Sequence, residues 1–138
     1  MLVPLEEQEQ EILFIWAKLQ QAKYPELALL TAIPNGDLRS ISVAKRLKRT
    51  GTRAGFPDCI LPVARGGYHS LAIELKRQKG GRVSAPQREW LEALSAQGWL
   101  AATCKGADEA MQLIIRYLNG QEQRGGEQCF LAAGKKSG

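Results

Sequence analysis

Two acidic residues interrupt apolar segments near the middle of the chain. Asp58 immediately precedes the apolar segment 59–61, and Glu74 lies inside the apolar segment 71–76. If 71–76 is a strand, its side chains alternate between two faces, so Glu74 and Lys76 lie side by side on one of them. A carboxylate beside an ammonium group suits metal-assisted hydrolysis of a phosphodiester. Carboxylate oxygens bind Mg²⁺, and a lysine can orient the attacking water or stabilise the developing charge.

The glycine pair Gly66-Gly67 predicts that the two acidic segments pair with each other. It separates two predicted strands, 56–63 and 70–76, and strands joined by such a turn pair antiparallel. The pairing brings Asp58 into the neighbourhood of Glu74. The sequence does not give the register, so two readings stay open: two carboxylates and a lysine on one face, or a salt bridge on an exposed sheet.

Apolar spacing places further elements around this hairpin. The first helix has its predicted apolar stripe at Ile12, Ile15, Trp16 and Leu19. Ser84 is a predicted N-cap for the helix that follows the hairpin. We predict helices at 5–21, 39–50, 84–96 and 107–118, a turn at 34–37, and strands at 27–33 and 99–104 in addition to the hairpin. This order predicts an α/β fold, with a mixed central sheet flanked by helices.

Length and charge indicate one domain with a polyanionic partner. The 138 residues carry 44% hydrophobic residues and a formal net charge of +5. The charge is uneven, because residues 37–53 and residues 65–88 each contain six bases and one acid. Two basic stretches favour phosphate binding, and an ordinary solvated basic surface is the alternative.

The composition excludes several other classes of protein. The three cysteines, Cys59, Cys104 and Cys129, form no CxxC pair, which excludes a zinc ribbon and favours a reducing compartment. A single histidine, His69, excludes an HExxH zinc site. No apolar run approaches the ~18 residues of a membrane span, and the polar first residues are unlike a signal peptide. We therefore expect no membrane partner and a cytoplasmic location, in a bacterium or a phage-infected host.

Three motifs in order resemble one nuclease family. Gly55-Phe56-Pro57-Asp58, Ile73-Glu74-Leu75-Lys76 and the helix opening at residues 84–90 resemble the VRR-NUC branch of the PD-(D/E)XK nuclease superfamily. There a G-x-P-D segment, an E-x-K strand and a helical glutamine recur. Residues upstream, Glu6 and Gln10 among them, resemble its stand-alone, phage-type members. The resemblance covers residues 6–118 and implies a restriction-endonuclease-like core. It leaves 1–118 as the nuclease domain and 119–138 as a flexible or dimer-exchanging tail.

The resemblance also implies roles for individual residues. Asp58 and Glu74 match the metal-binding acids, with the backbone carbonyl of Leu75 as an additional ligand. Lys76 matches the catalytic lysine, and Gln87 matches the glutamine that approaches the site from the next helix. A glutamate of the first helix often completes such sites: the family spacing points to Glu6, whereas helical periodicity favours Glu9. Candidate DNA-binding residues are Arg53, Lys79, Arg82, Lys45, Lys48 and Arg49.

The implied function is a structure-specific DNA endonuclease that depends on Mg²⁺ or Mn²⁺. Stand-alone members of the family resemble Holliday-junction resolvases and form homodimers, so branched or duplex DNA is the expected substrate. Three alternatives remain open. They are a flap- or end-processing nuclease or nickase of a phage machine, a non-catalytic DNA-binding module with a nuclease fold, and an RNA-binding basic protein.

Overall fold

The structure, a computed structural model, describes residues 2–34 and 40–125. The order of helices and strands along these two ranges is close to the order that the apolar spacing predicts. The helices are α1 (Glu6–Leu19), α2 (Ile41–Arg49), α3 (Ala85–Ala96) and α4 (Gly106–Leu118), and the strands are β1 (Thr31–Ala32), β2 (Cys59–Leu61), β3 (Leu71–Lys76) and β4 (Leu100–Lys105). No helix in the described ranges is both long and apolar enough to cross a membrane.

The described strands form one mixed sheet in the order β1-β2-β3-β4. β2 pairs antiparallel with β3, with Cys59 opposite Ile73, as the glycine turn between them predicts. β4 runs parallel to β3, because α3 crosses over between the two strands. This mixed sheet with flanking helices confirms the predicted fold class.

Helices cover both faces of the central strand β3. Leu71, Ile73 and Leu75 belong to the larger core, which α1 and α4 complete. Ala72 belongs to a smaller core built with Leu91 and Leu94 of α3. Successive side chains of a strand alternate faces, so Glu74 and Lys76 face α3, in line with Ala72. The alternation predicted from the sequence is therefore confirmed.

The predicted inward stripe of α1 is wrong for three of its four residues. Ile12, Ile15 and Leu19 are exposed, whereas the buried residues are Glu9, Leu13 and Ala17. Only Trp16 of the predicted stripe packs against the core. Compared with the prediction, α1 is rotated about its own axis, because the Glu9 carboxylate points inward. There it accepts a hydrogen bond from the backbone N–H of Ala107 at the start of α4.

The predicted strand at 27–33 is also largely wrong. Residues Pro25–Leu29 form a short 3-10 helix, and only Thr31–Ala32 joins the sheet as an edge strand. Pro25 suits the first turn of a helix because its fixed φ is close to helical. Most of the predicted turn at 34–37 and the tail residues 126–138 lie outside the described residues.

The described beginning of the tail folds back on the hairpin turn. Arg124 donates its backbone N–H to the carbonyl oxygen of Gly66 at 2.8 Å. Glu122 is buried and accepts a hydrogen bond from Arg116 of α4 at 2.8 Å. Residues 120–125 therefore pack against the turn that joins β2 to β3.

Candidate active site

Glu74 and Lys76 form a buried ion pair on the α3 face of the sheet. Their side chains follow the strand alternation, and Lys76 Nζ lies 3.4 Å from Glu74 Oε2. Glu74 is 1% exposed and Lys76 is 5% exposed. Removing two charges from water is costly, and the attraction between them does not offset that cost by itself. Further hydrogen bonds must therefore stabilise this buried ion pair.

Asp58 joins this pair from the end of the neighbouring strand. Extending the β2–β3 register by one residue beyond Cys59 and Ile73 places Asp58 opposite Glu74. Its Oδ2 accepts a hydrogen bond from the backbone N–H of Leu75 at 2.7 Å. The two carboxyl groups are close enough for each to affect the pKa of the other. The structure thus brings together the three residues that the sequence separates.

Gln87 links the acid pair to the beginning of α3. Its Oε1 accepts hydrogen bonds from Lys76 Nζ at 2.9 Å and from the backbone N–H of Ser84 at 2.8 Å. Its Nε2 donates to Glu74 Oε2 at 3.0 Å. Ser84 Oγ in turn accepts from the backbone N–H of Gln87 at 3.3 Å, which completes a capping box. One glutamine therefore caps a helix and orients both members of the ion pair.

The sequence indicates Ser84 only as a helix cap. Its part in fixing the Gln87 side chain could have been found from the S-x-x-Q spacing of residues 84–87, which is a capping-box signature. That spacing ties the position of the Gln87 amide to the helix end.

Gly55 allows the loop that carries Asp58 to lie against α3. Its φ of +90° falls in the left-handed region. A Cβ atom at this position would stand 2.7 Å from the backbone carbon of Pro86 and 2.9 Å from the backbone nitrogen of Gln87. The glycine of the G-x-P-D segment therefore brings the Asp58 loop and the Gln87 helix end into backbone contact.

Burial and mutual repulsion raise the pKa values of both acids. Burial is the main cause for Glu74, and the neighbouring charge of Asp58 adds to it, which raises the pKa of Glu74 to about 8 despite the opposing effect of Lys76. Burial also raises the pKa of Asp58, against the Leu75 hydrogen bond that lowers it. Two facing carboxylates of this kind favour a shared proton or a bound cation between them.

The acid pair fits a divalent cation by the chemistry of its donors. Glu74 Oε1 is buried and has no hydrogen-bond partner in the described part of the chain. Hard carboxylate oxygens suit Mg²⁺ or Mn²⁺, and Mg²⁺ commonly takes only one or two protein carboxylates and keeps several waters. No group of three His, Cys, Asp or Glu side chains within residues 2–34 and 40–125 is arranged to hold a metal by itself. A cation here would therefore use backbone or water oxygens as well.

The two candidate glutamates of α1 have different surroundings. Glu6 lines the same cavity as Asp58 and Glu74, and its charge contributes to the raised pKa of Asp58. Glu9 is 2% exposed, and its two oxygens accept hydrogen bonds from the Ala107 N–H at 2.9 Å and from Gln78 Nε2 at 2.8 Å. Glu9 therefore joins α1 to α4, and Glu6 is the glutamate that lies on the site.

An open cavity of about 1060 Å³ leads from the acid pair to the basic helix α2. Glu6, Asp58, Glu74 and Gln87 line it at the acidic end. Two of the predicted DNA-binding residues, Lys48 and Arg53, line it as well. The other four, Lys45, Arg49, Lys79 and Arg82, are exposed on α2 and on the loop between β3 and α3.

Trp90 of α3 stabilises the loop on one side of this cavity. Its indole N–H donates to the carbonyl oxygen of Ala54 at 3.1 Å. Its ring meets Phe56 edge to face, with 4.9 Å between the ring centres. These contacts fix the segment 54–56 that leads to Asp58.

This arrangement defines a class of protein. A mixed sheet carries Asp58 and an E-x-K strand at one end, and a glutamine from the next helix contacts both Glu74 and Lys76. This is the site of a PD-(D/E)XK-type nuclease fold.

Comparison with known proteins gives the family within that class. The sequence profile of the VRR-NUC domain matches residues 6–108. A solved structure described as a VRR_NUC domain protein is 30% identical, with a TM-score of 0.76, and the match covers 87% of this chain and 93% of that one. No curated protein matches the chain significantly. The chain belongs to the VRR-NUC domain family, and this membership implies nuclease-type processing of DNA.

Proposed function

We propose that the protein is a DNA endonuclease that depends on Mg²⁺ or Mn²⁺ and acts on branched DNA, in the manner of a Holliday-junction resolvase. The observation that carries the proposal is the convergence of Asp58, Glu74 and Lys76 beside a cavity that the basic residues Lys48 and Arg53 also line. The chemistry is hydrolysis of a phosphodiester: water adds to phosphorus, one P–O bond breaks, and the leaving oxygen takes a proton.

Asp58, Glu74 and the backbone carbonyl of Leu75 would hold the cation, and Glu6 would complete its surroundings. The carbonyl and the N–H of one residue in a strand point to the same edge, and the Leu75 N–H points to Asp58. When bound, the cation supplies charge neutralisation at the scissile phosphate and a lower pKa of an attacking water.

Lys76 would position the attacking water and stabilise charge on the phosphate. An ammonium group has three N–H donors, and in this site two are directed at Gln87 Oε1 and Glu74 Oε2. The third remains for water or a phosphate oxygen. Because Gln87 holds the ammonium group in this orientation, Lys76 loses no further conformational freedom when the substrate reacts.

Basic residues on both sides of the cavity would bind the DNA backbone. Lys45, Lys48 and Arg49 belong to α2, Arg53 follows it, and Lys79 and Arg82 lie before α3. A four-way junction is close to two-fold symmetric and needs paired nicks, so a homodimer with two-fold symmetry would present two sites at once. The two-fold symmetry of the proposed substrate supports this arrangement.

Cleavage of end-labelled DNA tests the proposal. Wild type and Glu74→Ala are incubated with a four-way junction, a flap and a linear duplex, each with Mg²⁺, Mn²⁺ or chelator. Glu92→Ala, an exposed carboxylate of α3, is the matched control. We expect cleavage of the junction by wild type and Glu92→Ala with either metal, and none by Glu74→Ala. Preference for the flap or duplex identifies the end-processing or nickase alternative. Binding without cleavage by wild type identifies a non-catalytic module and refutes the proposal.

A further inference from the structure

One side of α1 exposes a row of large apolar side chains. Leu5 is 55% exposed, Ile12 46%, Ile15 55% and Leu19 73%. The core-facing side of the same helix is separate, since Leu13 is fully buried there. We call these four exposed residues the apolar seam. Contiguous exposed apolar surface on a small domain marks an interaction site more often than chance exposure.

The spacing of the apolar seam is that of a helix that pairs with another helix. Leu5, Ile12 and Leu19 are seven residues apart, and Ile15 lies three residues after Ile12. These are the a and d positions of a heptad repeat, which pack into the holes of a facing helix. The occupant that such a row fits best is therefore another helix with the same row.

The charges beside the apolar seam select both the partner and its direction. Glu11 and Lys18 are exposed on one flank of the row, seven residues apart. Acidic residues concentrate in the first turn of α1 and a lysine in the last. A parallel pair of copies would place like charges together at both ends. An antiparallel pair places Glu11 of one copy beside Lys18 of the other, and two-fold symmetry repeats this contact.

We propose that the apolar seam is the interface of an antiparallel homodimer of this chain. This inference rests on the homodimer included in the proposed function and identifies the surface through which it forms. It is tested by measuring molecular mass, which does not depend on hydrolytic activity. With Ile12 packed against Ile15 of the other copy, a rise of ~1.5 Å per residue separates the two Glu6 positions by about 22 Å along the helix axis. The two cavities then lie at opposite ends of the helix pair.

The dimer is expected to be concentration-dependent. A helix of 14 residues is about 21 Å long, and its row of four side chains is only part of the ~800 Å² per partner of a standard stable interface. The apolar contact supplies most of the affinity, and the charge pairs select the antiparallel arrangement.

Sedimentation equilibrium of the full chain from about 10 to 500 µM tests the interface. Wild type should pass from monomer to dimer in this range, and Ile15→Asp should remain monomeric with an unchanged circular dichroism spectrum. Ile41→Asp, which replaces a 76% exposed residue of α2, is the matched control and should dimerise like wild type. A wild type that is monomeric throughout, or an Ile15→Asp variant that dimerises normally, overturns the proposal.

A charge exchange tests the direction of pairing. Glu11→Lys and Lys18→Glu should each weaken dimerisation by about tenfold, and the double variant should recover the wild-type constant. A double variant that is no better than either single one contradicts antiparallel pairing. Phe130→Asp combined with Leu131→Asp, in the tail outside the described residues, should have no effect. If this pair abolishes the dimer and Ile15→Asp does not, the tail is the interface instead.

Discussion

The Asp58–Glu74 pair combines burial with mutual repulsion, which makes the metal-free site unfavourable when both acids are ionised. Folding raises the pKa of Glu74 from its ordinary value of 4.5 to about 8. The two values bound the pH window in which the folded and unfolded chains differ in protonation at Glu74. The folded state therefore binds more protons than the unfolded state in this window, and the free energy of unfolding falls as pH rises through it. The raised pKa of Asp58 acts in the same direction.

We predict that, in the presence of a chelator, the Tm falls as pH is raised from about 5 to about 8. Glu74→Gln should remove most of this fall, because the amide keeps the shape of the side chain and carries no charge. Adding Mg²⁺ or Mn²⁺ at pH 8 should raise the Tm of wild type and leave that of Glu74→Gln nearly unchanged. Thermal unfolding followed by circular dichroism measures both effects. Glu92→Gln, at an exposed position, should behave like wild type, and an equal pH slope in Glu74→Gln would contradict the prediction.

The sequence predicts that the site residues lie near one another, whereas it predicts neither the register that sets the two acids opposite each other nor the contacts that support them. The E-x-K alternation and the glycine turn were enough to place Glu74 beside Lys76 and to bring Asp58 near them. The register of β2 and β3, which sets Asp58 opposite Glu74, depends on packing that no local pattern encodes. The close contact of Gly55 with Pro86 depends on the mutual position of a loop and a helix that are far apart in sequence.

Among the elements, α1 shows most clearly where periodicity misleads. Its apolar residues predict one inward face, but the structure buries Glu9 and exposes Ile12 and Ile15. Burying a carboxylate is unfavourable unless donors meet it, and the N-terminus of α4 with the Gln78 amide supplies those donors. An element outside the helix thus decides which of its faces turns inward. The short 3-10 helix at Pro25–Leu29 is a similar case, because a brief apolar run does not distinguish a strand from a helical turn.

Glu6 and Glu9 lie one turn apart, and we predict opposite consequences of replacing them. Glu9→Ala should lower the free energy of unfolding by about 2–3 kcal/mol, since it leaves the buried Ala107 N–H without an acceptor. Glu6→Ala should change it by no more than about 0.5 kcal/mol and lower cleavage by about tenfold through weaker metal binding. Urea unfolding and single-turnover cleavage over a range of Mn²⁺ concentrations separate the two effects. The reverse pattern would show that Glu9 completes the site.

The beginning of α3 serves the fold and the site through the same hydrogen bonds. Ser84→Ala and Gln87→Ala each remove one half of the capping box, so each should lower the free energy of unfolding by about 1 kcal/mol. Only Gln87→Ala also removes the contacts to Lys76 and Glu74. We predict that it lowers the single-turnover rate by about 10–100-fold, whereas Ser84→Ala changes the rate much less. Equal rates in the two variants would mean that Gln87 acts on stability alone.

At the scale of the whole molecule, positive and negative charge occupy different elements. The net charge is +5, yet α1 carries acids in its first turn while α2 carries bases in its last. The cavity connects these regions, with Glu6 and the acid pair at one end and Lys48 of α2 at the other. A polyanion is therefore attracted by the basic end and must be brought against the acidic end, where the acid pair needs a cation before a phosphate can approach it. DNA binding should accordingly depend on the basic residues and on salt concentration, whereas cleavage should depend on the acid pair and its cation.

We predict that Lys48→Ala weakens DNA binding without regard to sequence and reduces the dependence of the binding constant on salt. Loss of one phosphate contact should lower the slope of log K against log salt concentration by about 1. Lys23→Ala, which removes an exposed base that does not line the cavity, should leave both the affinity and the slope unchanged. Fluorescence anisotropy with a labelled junction, in chelator and at several salt concentrations, measures these slopes without cleavage. Equal slopes for wild type and Lys48→Ala would place the DNA away from α2.

Since chelator prevents cleavage, a normal slope in Glu74→Gln would show that the basic end binds DNA independently of the acid pair.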